Sequence, residues 1–351
     1  METARKEEYY SRKHRNVLFI ILCVAVIAVA FIISLSVGFY NIGFTDCISA
    51  VIDHITGNIT DERVDDVIWN TRLPIALFAV ICGAALAAGG AVMQTVLRNP
   101  LADPYTMGIS SGASLGASLS IILGITLIPG LASNIALILM AFVFSLIPVM
   151  VILIFTTRRK TTPTKIILIG IAVMYMFSAI TSLLMVTASE ESLAEVYTWN
   201  IGSLATVTWS CLPIPLIATV LGLSFLMINN RTINTLIAGN NCAQSLGVNP
   251  KRTTLVLMVI ISLMTASVVC YSGTIGFIGL VGPHIARIFV GSESRHLIPA
   301  SAAFGALFLL CANTIARVAG DFGLPVGVIC AIIGGPLFII ILVKMRKKVW
   351  R

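Results

Sequence analysis

Hydrophobic residues in this chain run almost unbroken for about 20 positions at a time and stop at charged clusters, prolines or polar turns. A helix needs that length to cross about 30 Å of hydrocarbon at 1.5 Å per residue. Short segments of strict alternation, the pattern of a transmembrane β-barrel, are not what the chain offers. Broken at those interruptions, the sequence predicts ten spans: 17–39, 73–97, 105–124, 131–157, 165–187, 209–228, 253–271, 275–290, 297–318 and 323–343. The fold class expected is all-α and polytopic, with no soluble domain left over. The first run follows a basic stretch, Arg5 to Arg15, but is longer than the roughly 7 to 15 residues of a signal-peptide core and precedes no A-x-A-like site. It reads as a retained span behind a tail of residues 1–16.

Small residues recur every fourth position in several spans: Gly108, Gly112 and Gly116; Gly83, Ala87 and Ala91; Gly327, Ala331 and Gly335. Such stripes let helix backbones approach closely where lipid supplies no hydrophobic drive. They predict a tight bundle and carry no information about a substrate. Span 275–290 is short and holds Gly276, Gly279, Gly282 and Pro283. A broken helix beside a water-filled pathway and a kinked structural helix both fit that pattern.

Charge orients the array. Ten spans put both termini on one side, and if that side is the cytoplasm the inner connections receive Arg98, Arg158, Arg159, Lys160, Lys165, Arg231, Lys251, Arg252, Arg287 and Arg295. Only Arg63, Arg72 and Arg317 of the 23 lysines and arginines then face outward, which satisfies the positive-inside rule. Composition agrees: 58% hydrophobic, 11% charged and a mean hydropathy of +0.99 suit lipid. The net charge of +8 sits at helix ends and forms no stripe with interleaved aromatics, so no nucleic acid partner is expected.

The chemistry of catalysis is missing from the sequence. The eight cysteines contain no C-x-x-C pair, and the four histidines contain no i, i+4 pair for a metal. His284, after a proline, reads as structural. There is no H-E-x-x-H and no G-x-S-x-G, so the chain is not expected to be an enzyme. No G-x-x-x-x-G-K-[ST] loop is present to cradle a nucleotide, and no cofactor is expected on this chain. No ionisable residue stands out in mid-span as an ion relay.

Four blocks carry a family resemblance. They are RLP at Arg72 to Pro74 with GAALAAGGAVMQ from Gly83 and RNPLADP from Arg98; YTWNIGSLATVTW from Tyr197; AGNNCAQSLGVNP from Ala238; and GTIGFIGLVGPHIARIFVG from Gly273, continued by IARVAG, LPVGV and IGGPLF. Together, in this order, they resemble the FecCD-type permeases, which include the vitamin B12, haem and ferric-siderophore permeases. The resemblance implies a type II ABC importer permease fold filling residues 1–351 as one domain in the cytoplasmic membrane. It also implies a second permease subunit, two cytoplasmic ATPases holding ATP and magnesium, and an external binding protein. The cargo implied is an iron chelate or cobalamin. An ATP-independent secondary transporter or channel is the alternative.

Residue roles follow from matched positions. The inner loop 229–252, with Gly239, Asn240, Ala243, Leu246 and Gly247, resembles the family's ATPase-coupling helices. Arg72 and Arg317 match outer arginines that pair with acids on the binding protein; interfacial snorkelling is the plainer reading. Thr161, Thr162, Pro163 and Thr164 match the cytoplasmic gate. On the fifth span, which lines the family's pathway, Met174, Ser178, Ser182 and Met185 share one helical stripe; a packing seam fits equally. Three positions depart from the family pattern: Ile75 for a frequent arginine, Asn240 for glutamate and Asn313 for aspartate. The second puts in doubt an ion pair with the ATPase.

Overall fold

The computed structural model describes residues 2–38, 42–158, 162–319 and 323–344, and within them every regular element is helical. The helices are α1 (Glu2–Ser36), α2 (Phe44–Thr56), α3 (Glu62–Asp65), α4 (Leu73–Leu97), α5 (Ile109–Leu123), α6 (Ser133–Arg158), α7 (Pro163–Val186) and α8 (Glu190–Ile201). They continue with α9 (Pro213–Ile228), α10 (Asn230–Ile237), α11 (Asn240–Ser245), α12 (Pro250–Ser272), α13 (Ile278–Val290), α14 (Ser294–Val318) and α15 (Val326–Lys344). A π-helical stretch, Asp66–Arg72, joins α3 to α4.

Among the described residues, eight helical segments are long and apolar enough to cross a membrane, and two of the expected spans appear as shorter apolar helices, Ile109–Leu123 and Ile278–Val290. Both are short because the chain turns left-handed just before them, at Gly108 (φ 87°) and Phe277 (φ 69°). A phenylalanine in that conformation is strained and persists only where its surroundings hold it. Here the Phe277 side chain lies where one on Gly334 would stand, with Phe277 Cβ 2.6 Å and the first ring atom 3.0 Å from the position of an added Cβ. The IGGPLF glycines of α15 thus make room for the phenylalanine of GTIGF.

Hydropathy alone does not say which helices are central. The apolar window of His14–Ser36 is more hydrophobic than that of Glu62–Leu97, yet 11% of the first is buried against 78% of the second. The difference comes from small residues on α4. A methyl on Gly83 would lie 2.2 Å from the Gly305 carbonyl oxygen on α14, and one on Gly90 would lie 1.9 Å from the Gly279 carbonyl oxygen on α13. Backbone meets backbone at both points, at Gly83 as the small-residue stripe predicted and at Gly90, which lies outside that stripe. On the other side of the bundle, Gly112 and Gly116 of α5 meet Phe144 and Met140 of α6 in the same way.

Contacts sort the helix ends into two sets. At one end Asn16 donates to the Val290 carbonyl, Lys251 to the Thr157 carbonyl, and the Ser294 amide to Asn234. At the other, His54 stacks on Trp69 with centroids 3.9 Å apart, and the Trp209 indole donates to the Trp69 carbonyl at 2.8 Å. The helices α2, α3 and α8, in the connections at this second end, had no counterpart in the ten expected spans, being too short or too polar to register as apolar runs. Arg287, assigned above to an inner connection, is instead inside α13, 5% exposed, with Nη1 donating to Gln94 Oε1 of α4 at 3.1 Å. The expected connection placed a charge near an end; the amide of Gln94 lets it sit within the bundle.

Candidate functional site

The inner loop expected to couple to an ATPase folds as two short helices. On α10, Ile233 and Leu236 are fully buried, and on α11 so is Ala243, so each helix is tied down along one face. The opposite face carries Arg231, Asn240, Asn241 and Gln244, with Leu246 64% exposed and Ile237 44% exposed. Leu246 and Ile237 are thus apolar side chains exposed on an otherwise polar face. Gly239 (φ 110°) caps α11 at its start, and Gly247 (φ 78°) turns the chain after it, so both loop glycines occupy conformations that favour glycine. Asn240 is engaged within the chain: its Oδ1 accepts from Arg98 at the end of α4. The relatives' glutamate at this position would face the same arginine.

This surface adjoins the expected gate. Thr161 lies outside the described residues. Thr162 caps α7, its hydroxyl accepting from the Lys165 amide at 3.4 Å, with Pro163 in the first turn, and Thr162 and Thr164 are exposed. A cavity of about 360 Å³ is lined jointly by Pro163 and Ile166 of α7, Thr156 of α6, and Asn240, Gln244 and Lys251 of the coupling segment. Lys251 Nζ donates to the Thr157 carbonyl at 2.9 Å, bridging the coupling segment to the end of α6, which leads into the gate turn.

At the opposite end the two arginines turn inward. Arg72 is 3% exposed and Nη1 donates to the Leu35 and Ser36 carbonyls at 2.6 and 2.9 Å; Arg317 donates to Ser34 at 2.9 Å. The last turn of α1 presents unpaired carbonyls and the negative end of a helix dipole, which draw guanidinium groups. Arg72 therefore does not present an exposed guanidinium to an external carboxylate, as the docking role required; Arg317 is half-buried. Ile75 is buried in the core, where an apolar residue fits.

The third region is a cavity of about 430 Å³ within the bundle, and four separate stretches of chain build it. Met174 and Ser178 of α7 line it; Ser182 and Met185, further along the same stripe, do not. Facing them are Ser110, Ser111 and Ser114 at the start of α5, Asn200 at the end of α8, and Thr274, Gly276 and Phe277 before α13. The sequence blocks converge here through glycines. A methyl on Gly273 would lie 2.0 Å from the Trp199 carbonyl oxygen, and one on Gly327 would lie 1.9 Å from that of Ile201. Across this junction Ser203 donates its amide to Ser272 at 2.9 Å, Ser114 donates to Asn200 Oδ1 at 2.6 Å, and the Thr274 hydroxyl donates to the Asn200 carbonyl.

Asp103 also lines the cavity, although it is 5% exposed. Its Oδ1 accepts from the Tyr105 and Thr106 amides at 2.5 and 3.2 Å, capping the turn Pro104–Met107, while Oδ2 lies against Gly279 at the start of α13. Asp103, Asn200 and Thr274 were all within the quoted blocks, but sequence gave no sign that they share a cavity. Burial pushes the Asp103 carboxyl up to about 6, the two amides pulling the other way. A carboxyl that binds its proton more tightly folded than unfolded costs stability once pH exceeds its unfolded value, fully so above the folded one. Asp103→Asn keeps the accepting oxygen, so it is expected to raise the apparent melting temperature in detergent at pH 7.5 by on the order of a few degrees. The gain should vanish near pH 4; an equal deficit at both pH values would contradict this account.

Among the described residues no three His, Cys, Asp or Glu side chains gather as a metal site. His284 is 2% exposed, its Nδ1 2.7 Å from the Leu280 carbonyl and its ring edge-on to Phe338.

Comparison with known proteins bears on what these three regions serve. The model of the FecCD transport family matches residues 26–344. A cobalamin import system permease of Halobacterium salinarum is 37% identical, over 80% of this chain and 74% of its own. A hemin transport system permease of Yersinia pestis is 34% identical, over 82% of this chain and 87% of its own. Among solved structures, a metal-chelate type ABC transporter in an inward-facing conformation superimposes with a TM-score of 0.82 at 28% identity, covering 93% of this chain and 99% of that one.

Proposed function

The chain belongs to the FecCD transport family, and from that premise we propose that it is the permease subunit of an ABC importer carrying an iron chelate or a cobalamin-like corrinoid across the cytoplasmic membrane. The observation that carries the reading is the α10–α11 pair: anchored by Ile233, Leu236 and Ala243, it leaves Ile237 and Leu246 exposed for a cytosolic partner. In this reading the chain crosses the membrane ten times, α5 and α13 included, with both termini in the cytoplasm. Two ATPase subunits hold ATP and magnesium and press on Gly239, Asn240, Ala243, Leu246 and Gly247. A second permease copy packs beside α7, whose Tyr175, Leu183 and Val186 are exposed alongside Ser178 and Ser182. Cargo delivered by an external binding protein, with Arg317 at the docking surface, passes Met174 and Ser178 and leaves by the Thr162–Thr164 turn. The cargo class rests on the two named relatives and the metal-chelate transporter.

The test is uptake of a radiolabelled ferric trihydroxamate, haem or cobalamin by proteoliposomes holding the permease, its ATPases and its binding protein. Uptake of at least one is expected, and only when ATP is present on the ATPase side. Uptake that persists without the ATPases would replace this reading with an ion-coupled transporter or channel.

A further inference from the structure

The cavity beside α7 has an uneven chemistry. Its polar lining is made of hydroxyl-bearing residues, Ser110, Ser114, Ser178 and Thr274 among them, the Asn200 carboxamide and one carboxylate, Asp103; among the described residues no lysine, arginine or histidine lines it. Hydroxyl and carboxamide groups serve donors and acceptors alike and distinguish no sign of charge. Asp103 does. Its place is fixed from two sides, by the amides of its own turn and by Gly279, so the charge cannot swing away to solvent. In surroundings less polarisable than water, a unit charge several ångströms away is felt at about tenfold in equilibrium.

From this lining we infer that the cavity selects cargo by charge: it accepts a neutral or cationic polar arm of a metal chelate and disfavours an anionic one. The inference rests on the importer reading and deepens it, naming which chelates the pathway favours. Its volume of about 430 Å³ suits one arm or face of a chelate, so the group that enters is a substituent and the metal stays in its organic cage. Two observations are accounted for together. The glycine-pinned junction of Trp199–Gly202, Gly273–Thr274 and Gly327 holds the Asn200 carboxamide and Thr274 hydroxyl at the wall, and the turn after α4 holds the only charge there among the described residues.

The experiment uses three ferric complexes of one linear trihydroxamate whose end group is a free ammonium, its acetylated neutral form, or its succinylated anionic form. Equilibrium binding of the radio-iron complexes is measured on the permease–ATPase complex in lipid nanodiscs. Affinity is expected to fall about tenfold at each step from ammonium to acetyl to succinyl. Asp103→Asn, which keeps the turn capped, should compress the three to within roughly twofold, and Asp103→Glu should restore the order. A merely structural role for Asp103 would leave the order unchanged. Equal binding of cationic and anionic forms by the natural protein, an unaltered order in Asp103→Asn, or no binding of any form overturns the inference. ATP-driven uptake is scored separately: uptake without charge order removes this inference alone, and charge-ordered binding without any ATP-driven uptake removes the importer reading alone.

Discussion

Gly90→Ala is expected to abolish accumulation of the folded protein. An added methyl at this position would stand 1.9 Å from the Gly279 carbonyl oxygen, and the obstacle is backbone on both sides, with no flexible side-chain end to give way. Alanine ordinarily favours a helix over glycine by about 1 kcal/mol. Forcing α4 away from α13 opposes that gain with a larger cost, about 3 kcal/mol or more once neighbouring contacts are lost. Gly83→Ala, facing the Gly305 carbonyl oxygen at 2.2 Å, should behave alike. Gly276→Ala is the control, since nothing lies within 4 Å of its added carbon. Yield of monodisperse protein in detergent and its melting temperature distinguish them; wild-type values for Gly90→Ala would show that α4 and α13 are not packed as described.

Lys251→Met is expected to separate ATP hydrolysis from transport. The ammonium bonded to the Thr157 carbonyl joins the coupling segment to the helix that precedes the gate turn. The bond lies at an exposed position, where a charged contact contributes about 1 kcal/mol or less, so its loss should lower cargo moved per ATP hydrolysed by roughly two- to fivefold while hydrolysis continues. Lys251→Arg can reach the same carbonyl and should recover most of the ratio. If the ratio is the same in wild-type protein and Lys251→Met, motion reaches the gate by another route.

The helical bundle was legible in the sequence because apolar run length reports directly on crossing a membrane, and the glycine stripes on α4 and α5 reported close packing. The short helix pair of residues 230–245 was legible as a polar block between apolar runs, and the structure has it as α10 and α11. What sequence did not reveal is which way side chains turn. Arg72 looks like any arginine at a helix end; only the fold brings the open carbonyls of α1 to it. Arg287 follows an apolar run and so reads as terminal, yet Gln94, far away in sequence, meets it inside the bundle. Asp103 belongs to a recognisable block, but its cavity is assembled from α5, α7, α8 and the turn before α13, and no local pattern records that assembly.

The glycine contacts of α4 have a mechanical meaning. Where backbone touches backbone at Gly83–Gly305 and Gly90–Gly279, there is no side-chain length to absorb sliding, so α4, α13 and α14 form a stator. The apolar windows of α7, α9 and α15 are 28%, 33% and 33% buried, against 78% for the segment that contains α4, so these helices leave most of their surface to lipid or to a second subunit. α7 borders both the cavity, at Met174 and Ser178, and the turn at Thr162, so a shift of this one helix would be felt at both places.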